Sequence, residues 1–319
     1  MPHPHMAFSV QECESLSLIP NKNTTIIATS QSAMDIFMMS IFSLLLRSNP
    51  NKLEHFMVCI NGAVKRCGDP KLQDIKQNFL EELRNMKWND RDMPISVIRV
   101  WSRLGHSQSL EMAIPWVHTE YYTIMHDDVI IKDEKWLDKA FENLSNPKSA
   151  ISYLPPLLWG GMGKKVINKK WYLELPHMHS ALLVCKKPIT QELGVRWSGY
   201  HFDHEFRLYD QVNVQEFMDY HYKRNNVQSF PIIEQPYAGI SMDIGSWVYN
   251  NILEKGYELV PLHESTALHM RSFSWREESF KKQRMEEHKN TLLGVYEEIK
   301  KNENFFSLYE KYKNVETNT

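Results

Sequence analysis

The feature that most constrains the fold is an alternation, in the first half of the chain, of short apolar runs with segments of helical spacing. Four β-prone runs predict strands: "TTIIATS" (24–30), "LEHFMVCING" (53–62), "PISVIRVW" (94–101) and "EYYTIMHDD" (120–128). The segments between them, and the one after the fourth run, keep the apolar spacing of helices that pack on a sheet. Strand and helix in strict alternation are typical of a parallel sheet covered by helices.

The second half of the chain is less regular. "SAISYLPPL" and "HSALLVCKK" predict strands, and "MDIGSWVYNNILEKGYELVPL" predicts a helix that ends at Gly256 and is followed by a strand. From Trp275 onward the sequence is charged and helical. We therefore predict an α/β protein with a mostly parallel central sheet flanked by helices. Its divisions are an N-terminal extension (1–22), one large domain (23–275) and a C-terminal helical extension (276–319).

Charge and cysteine usage narrow the classes of function and location. The 319 residues carry 37 basic and 39 acidic side chains, a net charge of −2, which is not the basic footprint of a duplex-binding protein. The four cysteines form no CxxC pair, which favours a reducing compartment. The longest apolar run, "IFMMSIFSLLL", is too short to span a bilayer. We expect a cytoplasmic protein with no transmembrane segment and no nucleic-acid partner. Contact with a membrane surface and the oligomeric state stay open.

Two adjacent aspartates, Asp127 and Asp128, stand where the fourth predicted strand ends. Ligands of open α/β sheets gather at the carboxyl ends of the strands. Close pairs of carboxylates suit Mg²⁺ or Mn²⁺, which share their coordination with the phosphates of a substrate. A metal platform is therefore one interpretation of the pair, and an acidic turn or helix cap is the other.

Two blocks of the sequence resemble GT-A glycosyltransferases, in particular their large, mostly inverting family (family 2). The first is "SRLGHSQSLEMAIPWVHTEYYTIMHDDVIIKDEKWLDKAFENL" (102–144), which has the family's order of helix, strand, acidic element and Trp-Leu helix. The second is "SMDIGSWVYNNILEKGYELVPLHESTALHM" (241–270), with a Gly-Tyr turn and a late histidine. The similarity spans roughly residues 23 to 275. The chain departs from the family's pattern at Asn61, His126 and Met242, where acidic residues are usual.

The resemblance implies a GT-A, Rossmann-like fold and a metal-dependent transfer of sugar from a nucleotide-diphosphate sugar. A UDP-sugar is favoured over a GDP-sugar as donor, and the acceptor would be a hydroxyl of a glycan, a lipid-linked group or another molecule. The resemblance further implies that Asp128 and His269 bind Mn²⁺ or Mg²⁺, and that Asp127 serves the metal or the donor's ribose. His263 competes with His269 for the role of the late histidine.

The catalytic and donor-binding candidates follow from the same likeness. Inverting transfer needs a carboxylate that takes the proton of the acceptor hydroxyl. Asp243 is the preferred base, with Asp203 and Glu205 as alternatives, and an Asp near a helix start is also a common cap. Arg271 and Arg103 would neutralise the diphosphate. The other candidates for contact with the donor are Thr29, Ser30, Asn61 and His106.

Two other functions remain open from the sequence. A nucleotidyltransferase on a related α/β sheet would carry a glycine-rich, basic phosphate loop after the first strand, and "ATSQSAMD" has neither glycine nor a basic residue. A non-catalytic protein that binds sugar or nucleotide on a decayed transferase fold is favoured by the departures at Asn61, His126 and Met242. Metal-dependent donor binding without turnover would distinguish this second alternative.

Overall fold

The structure is a computed structural model. It describes residues 18–29, 33–60, 70–99, 106–155, 158–159, 163–167, 170–174, 177–178, 181–194, 197, 200–203, 239–242, 245–270 and 278–313. Side chains are described for most of these, with the exception of 70, 106–108, those between 158 and 178, 200–203, 239–242, 246–247, 278 and 281.

Seven strands were expected from apolar, β-prone runs, and the structure adds several short ones. In chain order they are β1 (Ile19–Ala28), β2 (Leu53–Ile60), β3 (Lys87–Trp88), β4 (Arg91–Asp92), β5 (Ile95–Arg99), β6 (Thr119–His126), β7 (Val129–Ile131), β8 (Ser149–Tyr153), β9 (Leu158–Trp159), β10 (Gly163–Ile167), β11 (Lys170–Glu174), β12 (His177–Met178), β13 (Leu182–Lys186), β14 (Tyr200–Asp203), β15 (Gly239–Met242), β16 (Glu258–Pro261) and β17 (Ala267–His269). All four runs of the first half became strands of one sheet.

The helices fall between these strands and at the carboxyl end of the described chain. They are α1 (Met34–Leu46), α2 (Pro70–Arg84), α3 (His106–Ala113), α4 (Trp136–Leu144), α5 (Lys187–Glu192), α6 (Ser246–Glu254), α7 (Glu278–Glu287), α8 (Lys289–Lys300) and α9 (Glu303–Tyr312). Pro70 opens α2, where its missing amide proton costs no hydrogen bond. Of the helices in the described ranges, none combines the length and apolar character needed to cross a membrane.

The central sheet has seven strands in the order β16-β8-β13-β6-β1-β2-β5. Neighbours pair in parallel except β13, which is antiparallel to both β6 and β8. The prediction of a mostly parallel sheet flanked by helices is thus confirmed. From β1 the chain adds β2 and β5 on one side, then crosses to add β6 on the other. The carboxyl ends of β1 and β6 therefore flank a topological switch point, the usual place for a ligand in such sheets.

Successive residues of the central strands point to opposite faces, and each face packs on its own helices. Ile27 and Val58 belong to the cluster formed with α1, α2, α4, α8 and α9. Ile26 and Met57 belong to the cluster on the other face, formed with α3, α5 and α6. Burial on both faces explains why these strands are continuously apolar rather than alternating.

The C-terminal helices α8 and α9 pack against α1 and α2. Phe305 of α9 lies 5.1 Å from Phe42 of α1, centroid to centroid, and Tyr312 lies 5.7 Å from Phe79 of α2 in an edge-on contact. Both helices contribute buried residues to the same cluster as the sheet. The helices predicted as an extension therefore complete the apolar layer on one face of the sheet.

Candidate metal and nucleotide site

The carboxyl ends of β1 and β6 bring the candidate residues to one edge of the sheet. The two strands run parallel with Ala28 opposite His126, so Thr29 and the Asp127–Asp128 pair leave the sheet side by side. Each of these three side chains is at least nine-tenths buried. The two aspartates are thus buried and do not form an exposed acidic turn.

Asp127 forms a buried ion pair with a lysine that the sequence analysis did not single out. The Lys76 ammonium of α2 lies 3.1 Å from Asp127 Oδ2, and the two side chains are 0% and 1% exposed. The same ammonium stands 4.8 Å from the ring centroid of Phe37 on α1. Burial lowers the pKa of Lys76, and the negative charge of Asp127 opposes that shift. The pair ties α2 to the end of β6.

Asp128 contacts a different partner. Its Oδ1 lies 3.3 Å from Nε2 of His269, although the two residues are far apart in sequence. The two short strands β7 and β17 pair antiparallel with Val129 opposite His269, and the Met270 amide donates to the carbonyl of Asp128 at 3.1 Å. This two-strand ribbon, separate from the central sheet, places the late histidine on the acidic turn.

His126 completes a cluster of three metal-ligating side chains. Its ring lies 5.4 Å from that of His269, nearly perpendicular at 83°. One ligand atom from each of His126, Asp128 and His269 lies within 4.8 Å of the other two. Metal–ligand bonds of about 2.1 Å place neighbouring donor atoms about 3–3.4 Å apart, so a small closure would let all three bind one ion. Two imidazoles and a carboxylate are a donor set that fits a divalent metal.

Helices α1 and α7 hold the ribbon from outside. Ser43 Oγ accepts the Ile131 amide at 3.0 Å, and Arg47 Nη1 donates to the Ile131 carbonyl at 2.7 Å. Arg47 also forms an ion pair with Glu298 of α8. From α7, Arg284 reaches the carbonyls of His269 and Met270, at 3.4 Å each. These contacts restrain the backbone next to Asp128 and His269, two of the candidate metal ligands.

The nucleotide-side candidates divide into described and undescribed residues. The Thr29 hydroxyl donates to Gln73 Oε1 at 3.1 Å, and its amide donates to the Cys59 carbonyl at 2.9 Å, so the side chain braces α2 against β1 and β2. His106 is the first residue of α3. Outside the described residues lie Ser30, Asn61, Arg103 and Arg271.

Of the three base candidates, the structure describes Asp203. Asp203 is the last residue of β14, with its backbone opposite Gly239 of β15. Asp243 and Glu205 lie outside the described residues. Helix α6 begins at Ser246 with Gly245 as its N-cap, at φ 77°, so the capping position at this helix belongs to Gly245 rather than to Asp243.

The structure separates the two histidines that competed for the late position. His263 is exposed, and its Nδ1 lies 2.7 Å from the Ser265 hydroxyl in a local turn. His269 is the one that contacts Asp128.

Sequence reasoning missed two residues of the cluster region, Lys76 and His126. His126 was treated as a departure from an acidic motif. Yet histidine is itself a common metal ligand, so its place directly before two aspartates is a usable signal. Lys76 offered no such signal, because a lysine in a polar helix is indistinguishable in sequence from a solvated one.

Comparisons with known proteins give matches to solved structures at low sequence identity. No family model and no curated protein matches the chain. Among solved structures, the mannosyltransferase PcManGT from Pyrobaculum calidifontis, in complex with GDP-Man and Mn²⁺, is 11% identical with a TM-score of 0.47. That match covers 93% of this chain and 72% of that one. GalNAc-T7 with UDP, GalNAc and Mn²⁺ is 12% identical with a TM-score of 0.40, covering 55% of this chain and 37% of that one.

A third match belongs to another class of enzyme. The 4-diphosphocytidyl-2C-methyl-D-erythritol synthase from Anaerococcus prevotii is 9% identical with a TM-score of 0.35, covering 73% of this chain and 96% of that one. At this level of identity the likeness concerns the outline of the fold, so the function is argued next from the residues of this chain.

Proposed function

We propose that the protein is a metal-dependent glycosyltransferase that moves a sugar from a nucleotide-diphosphate sugar to a hydroxyl acceptor. The observation that carries the proposal is the contact between Asp128 and His269 at the carboxyl edge of a mostly parallel sheet. This is the place where α/β proteins bind phosphorylated ligands, and the donor set suits an ion shared with a diphosphate.

The proposed roles divide into holding the donor and moving a proton. Asp128 and His269 hold the metal, and Arg271 and Arg103 face the diphosphate. When bound, a divalent cation supplies positive charge where the leaving diphosphate gains negative charge. Asp127 stands apart, because its carboxylate is neutralised by Lys76 and buried with it. We therefore propose that Asp127 acts on the donor only through the shape of the turn.

The transfer itself would proceed with inversion. Asp243 takes the proton of the acceptor hydroxyl while that oxygen bonds the anomeric carbon. As that bond forms, the bond between the sugar and the diphosphate breaks, and its electron pair leaves with the diphosphate. Asp203 and Glu205 are the alternative bases. Donors with uridine are proposed ahead of donors with guanosine, and Thr29, Ser30, Asn61 and His106 are proposed to line the nucleotide pocket.

The test is a calorimetric titration of UDP- and GDP-sugars, with and without Mn²⁺, on the wild type and Asp128→Asn. The matched control is Glu134→Gln, an exposed acidic residue six positions further on. We expect donor binding that needs the metal, is weakened at least tenfold in the Asp128 variant and is unchanged in the control. Donor binding of the same affinity without metal and in the Asp128 variant would contradict the proposal.

A second measurement separates an enzyme from a sugar-binding protein. Slow hydrolysis of the bound donor, followed by proton NMR of the released sugar, reports turnover and the anomeric configuration together. Release of the inverted sugar, lost in Asp243→Asn, supports the transferase and its base. Metal-dependent binding with no hydrolysis or transfer to a panel of hydroxyl acceptors would instead favour the non-catalytic alternative.

A further inference from the structure

The donor atoms of the candidate site are richer in nitrogen than a pair of aspartates would suggest. Of the two adjacent carboxylates, Asp127 is engaged by Lys76 inside the protein, with an exposed fraction of 1%. The group that stands with Asp128 is a pair of imidazoles, His126 and His269. The cluster is therefore two nitrogens and one carboxylate oxygen.

Metal ions differ in their affinity for nitrogen and oxygen donors. Mg²⁺ takes oxygen ligands, keeps several waters and tolerates little departure from an octahedron. Imidazole is a softer ligand that suits Mn²⁺, Fe²⁺, Co²⁺ and Zn²⁺, with affinity rising along that series toward the later metals. A site with two imidazoles loses most of its attraction for Mg²⁺ and keeps it for transition metals.

The arrangement of the cluster leaves room for further ligands. His126 and Asp128 come from the end of β6, while His269 approaches from β17, so the three protein donors arrive from two segments. Their near-perpendicular rings offer nitrogens from different directions rather than stacking. Three protein ligands leave one to three positions of a four- to six-coordinate ion for outside oxygens.

We propose that His126, Asp128 and His269 form a three-ligand site that selects a divalent transition metal over Mg²⁺, with its open positions taken by phosphate oxygens. The role given to the phosphate oxygens rests on the proposed function. The metal preference does not, since it follows from the donor atoms of the chain alone. His126 is thus a metal ligand at the place where the resemblance would have put an acid.

The experiment uses the full chain stripped of metal by chelation and titrated calorimetrically with Mn²⁺, Zn²⁺ and Mg²⁺. The variants are His126→Ala and His269→Ala, with His263→Ala as the matched control, because His263 is exposed and engaged with Ser265. We expect Mn²⁺ to bind at least tenfold more tightly than Mg²⁺, and that margin to shrink in either site variant but not in the control. Equal affinity for Mg²⁺ and Mn²⁺ in the wild type would overturn the proposal.

A spectroscopic arm reports the ligands directly. Spin-echo modulation from imidazole nitrogen on bound Mn²⁺ should be present in the wild type, weaker in His126→Ala and absent from the double variant that also lacks His269. His126→Asp, which restores an oxygen donor, should shift the preference toward Mg²⁺. A Mn²⁺ signal without nitrogen modulation would refute the ligand set.

The two proposals fail separately. A nitrogen-ligated metal in a protein that binds no nucleotide sugar would leave this inference standing and remove the transferase. Nucleotide-sugar binding that Mg²⁺ and Mn²⁺ support equally would leave the transferase standing and remove this inference.

Discussion

At the scale of single residues, the two adjacent aspartates at the end of β6 lie in different chemical surroundings. Asp127 is paired with a buried ammonium, and Asp128 contacts an imidazole. The sequence predicted a pair of carboxylates at a strand end, and that placement is what the structure has. The division between them depends on Lys76 and His269, which reach the turn from distant segments, and no local pattern in the sequence reports such contacts.

The Lys76–Asp127 pair should dominate the stability of this corner. Lys76→Met leaves the Asp127 carboxylate buried without its partner, and we expect a loss of about 3–5 kcal/mol in the free energy of unfolding. Denaturant unfolding followed by circular dichroism measures it. The double variant Lys76→Met/Asp127→Asn, which removes both charges, should recover part of the loss.

The matched control is the half-exposed pair between Lys22 and Glu54, 3.3 Å apart. Lys22→Met should cost less than about 1 kcal/mol, because solvent screens a surface ion pair. A cost for Lys76→Met no larger than that of Lys22→Met would mean that the buried pair does not hold α2 to the turn.

The described cysteines should be inert while the protein is folded. Burial raises the pKa of Cys59 to about 12 and also raises the pKa of Cys185. A brief pulse of iodoacetamide at pH 8, read by peptide mass spectrometry, should leave both unlabelled until denaturant is added. Labelling of either thiol in the native protein at the rate of a free cysteine would contradict their burial.

The same shifts set the direction of a pH dependence. The unfolded chain releases its thiol protons near pH 8.5, well before the folded protein does. The stability that these thiols contribute is therefore complete below about pH 8.5 and is lost as the pH rises toward 12.

At the scale of elements, the prediction was best where the periodicity was longest. The alternation in the first half gave β1, α1, β2, α2, β5 and β6 near their observed bounds, because long apolar runs and continuous helical spacing are local signals. The ribbon of β7 and β17 was not predicted as a pair. Three-residue strands carry little pattern, and their pairing is set by packing between segments far apart in sequence.

Because the ribbon carries His269, we expect the loss of its supporting contacts to weaken metal binding. Arg284→Met removes the contacts to the His269 and Met270 carbonyls, and we expect up to about tenfold weaker Mn²⁺ binding with little change in global stability. Lys282→Met, an exposed position on the same helix, is the control. Calorimetry with Mn²⁺ beside thermal unfolding separates the two effects. An Arg284 variant that binds Mn²⁺ as the wild type does would show that the ribbon needs no such support.

At the scale of the whole molecule, the C-terminal helices belong to the core that the sheet builds. Composition predicted helices after residue 275, which the structure confirms, but charged helices gave no indication that their buried faces join the same cluster as α1 and α2. The domain boundary between residues 275 and 276 remains a prediction. Because the helices pack on the core, it can be tested by changing that packing.

Substitution of Phe305 tests how much that packing stabilises the protein. The side chain is 1% exposed and its ring lies in a tilted contact with Phe42, so Phe305→Ala should cost about 3–5 kcal/mol in the free energy of unfolding. Leu293→Ala, at a position 47% exposed on α8, should stay within about 0.5 kcal/mol of the wild type. A chain that stops at residue 277 should bind a hydrophobic dye and aggregate, since it uncovers one face of the sheet. A stable, monomeric truncated chain would establish instead that the helices are a separable extension.

The pairing of β7 with β17 also determines when, during synthesis of the chain, the site can form. Val129 leaves the ribosome long before His269, and domains form largely in the order in which they are synthesised. A nascent chain that has made the acidic turn still lacks the strand that brings the second imidazole, and the helix that supports it comes later still. At the proposed site, tight capture of a metal ion would therefore follow the synthesis of β17.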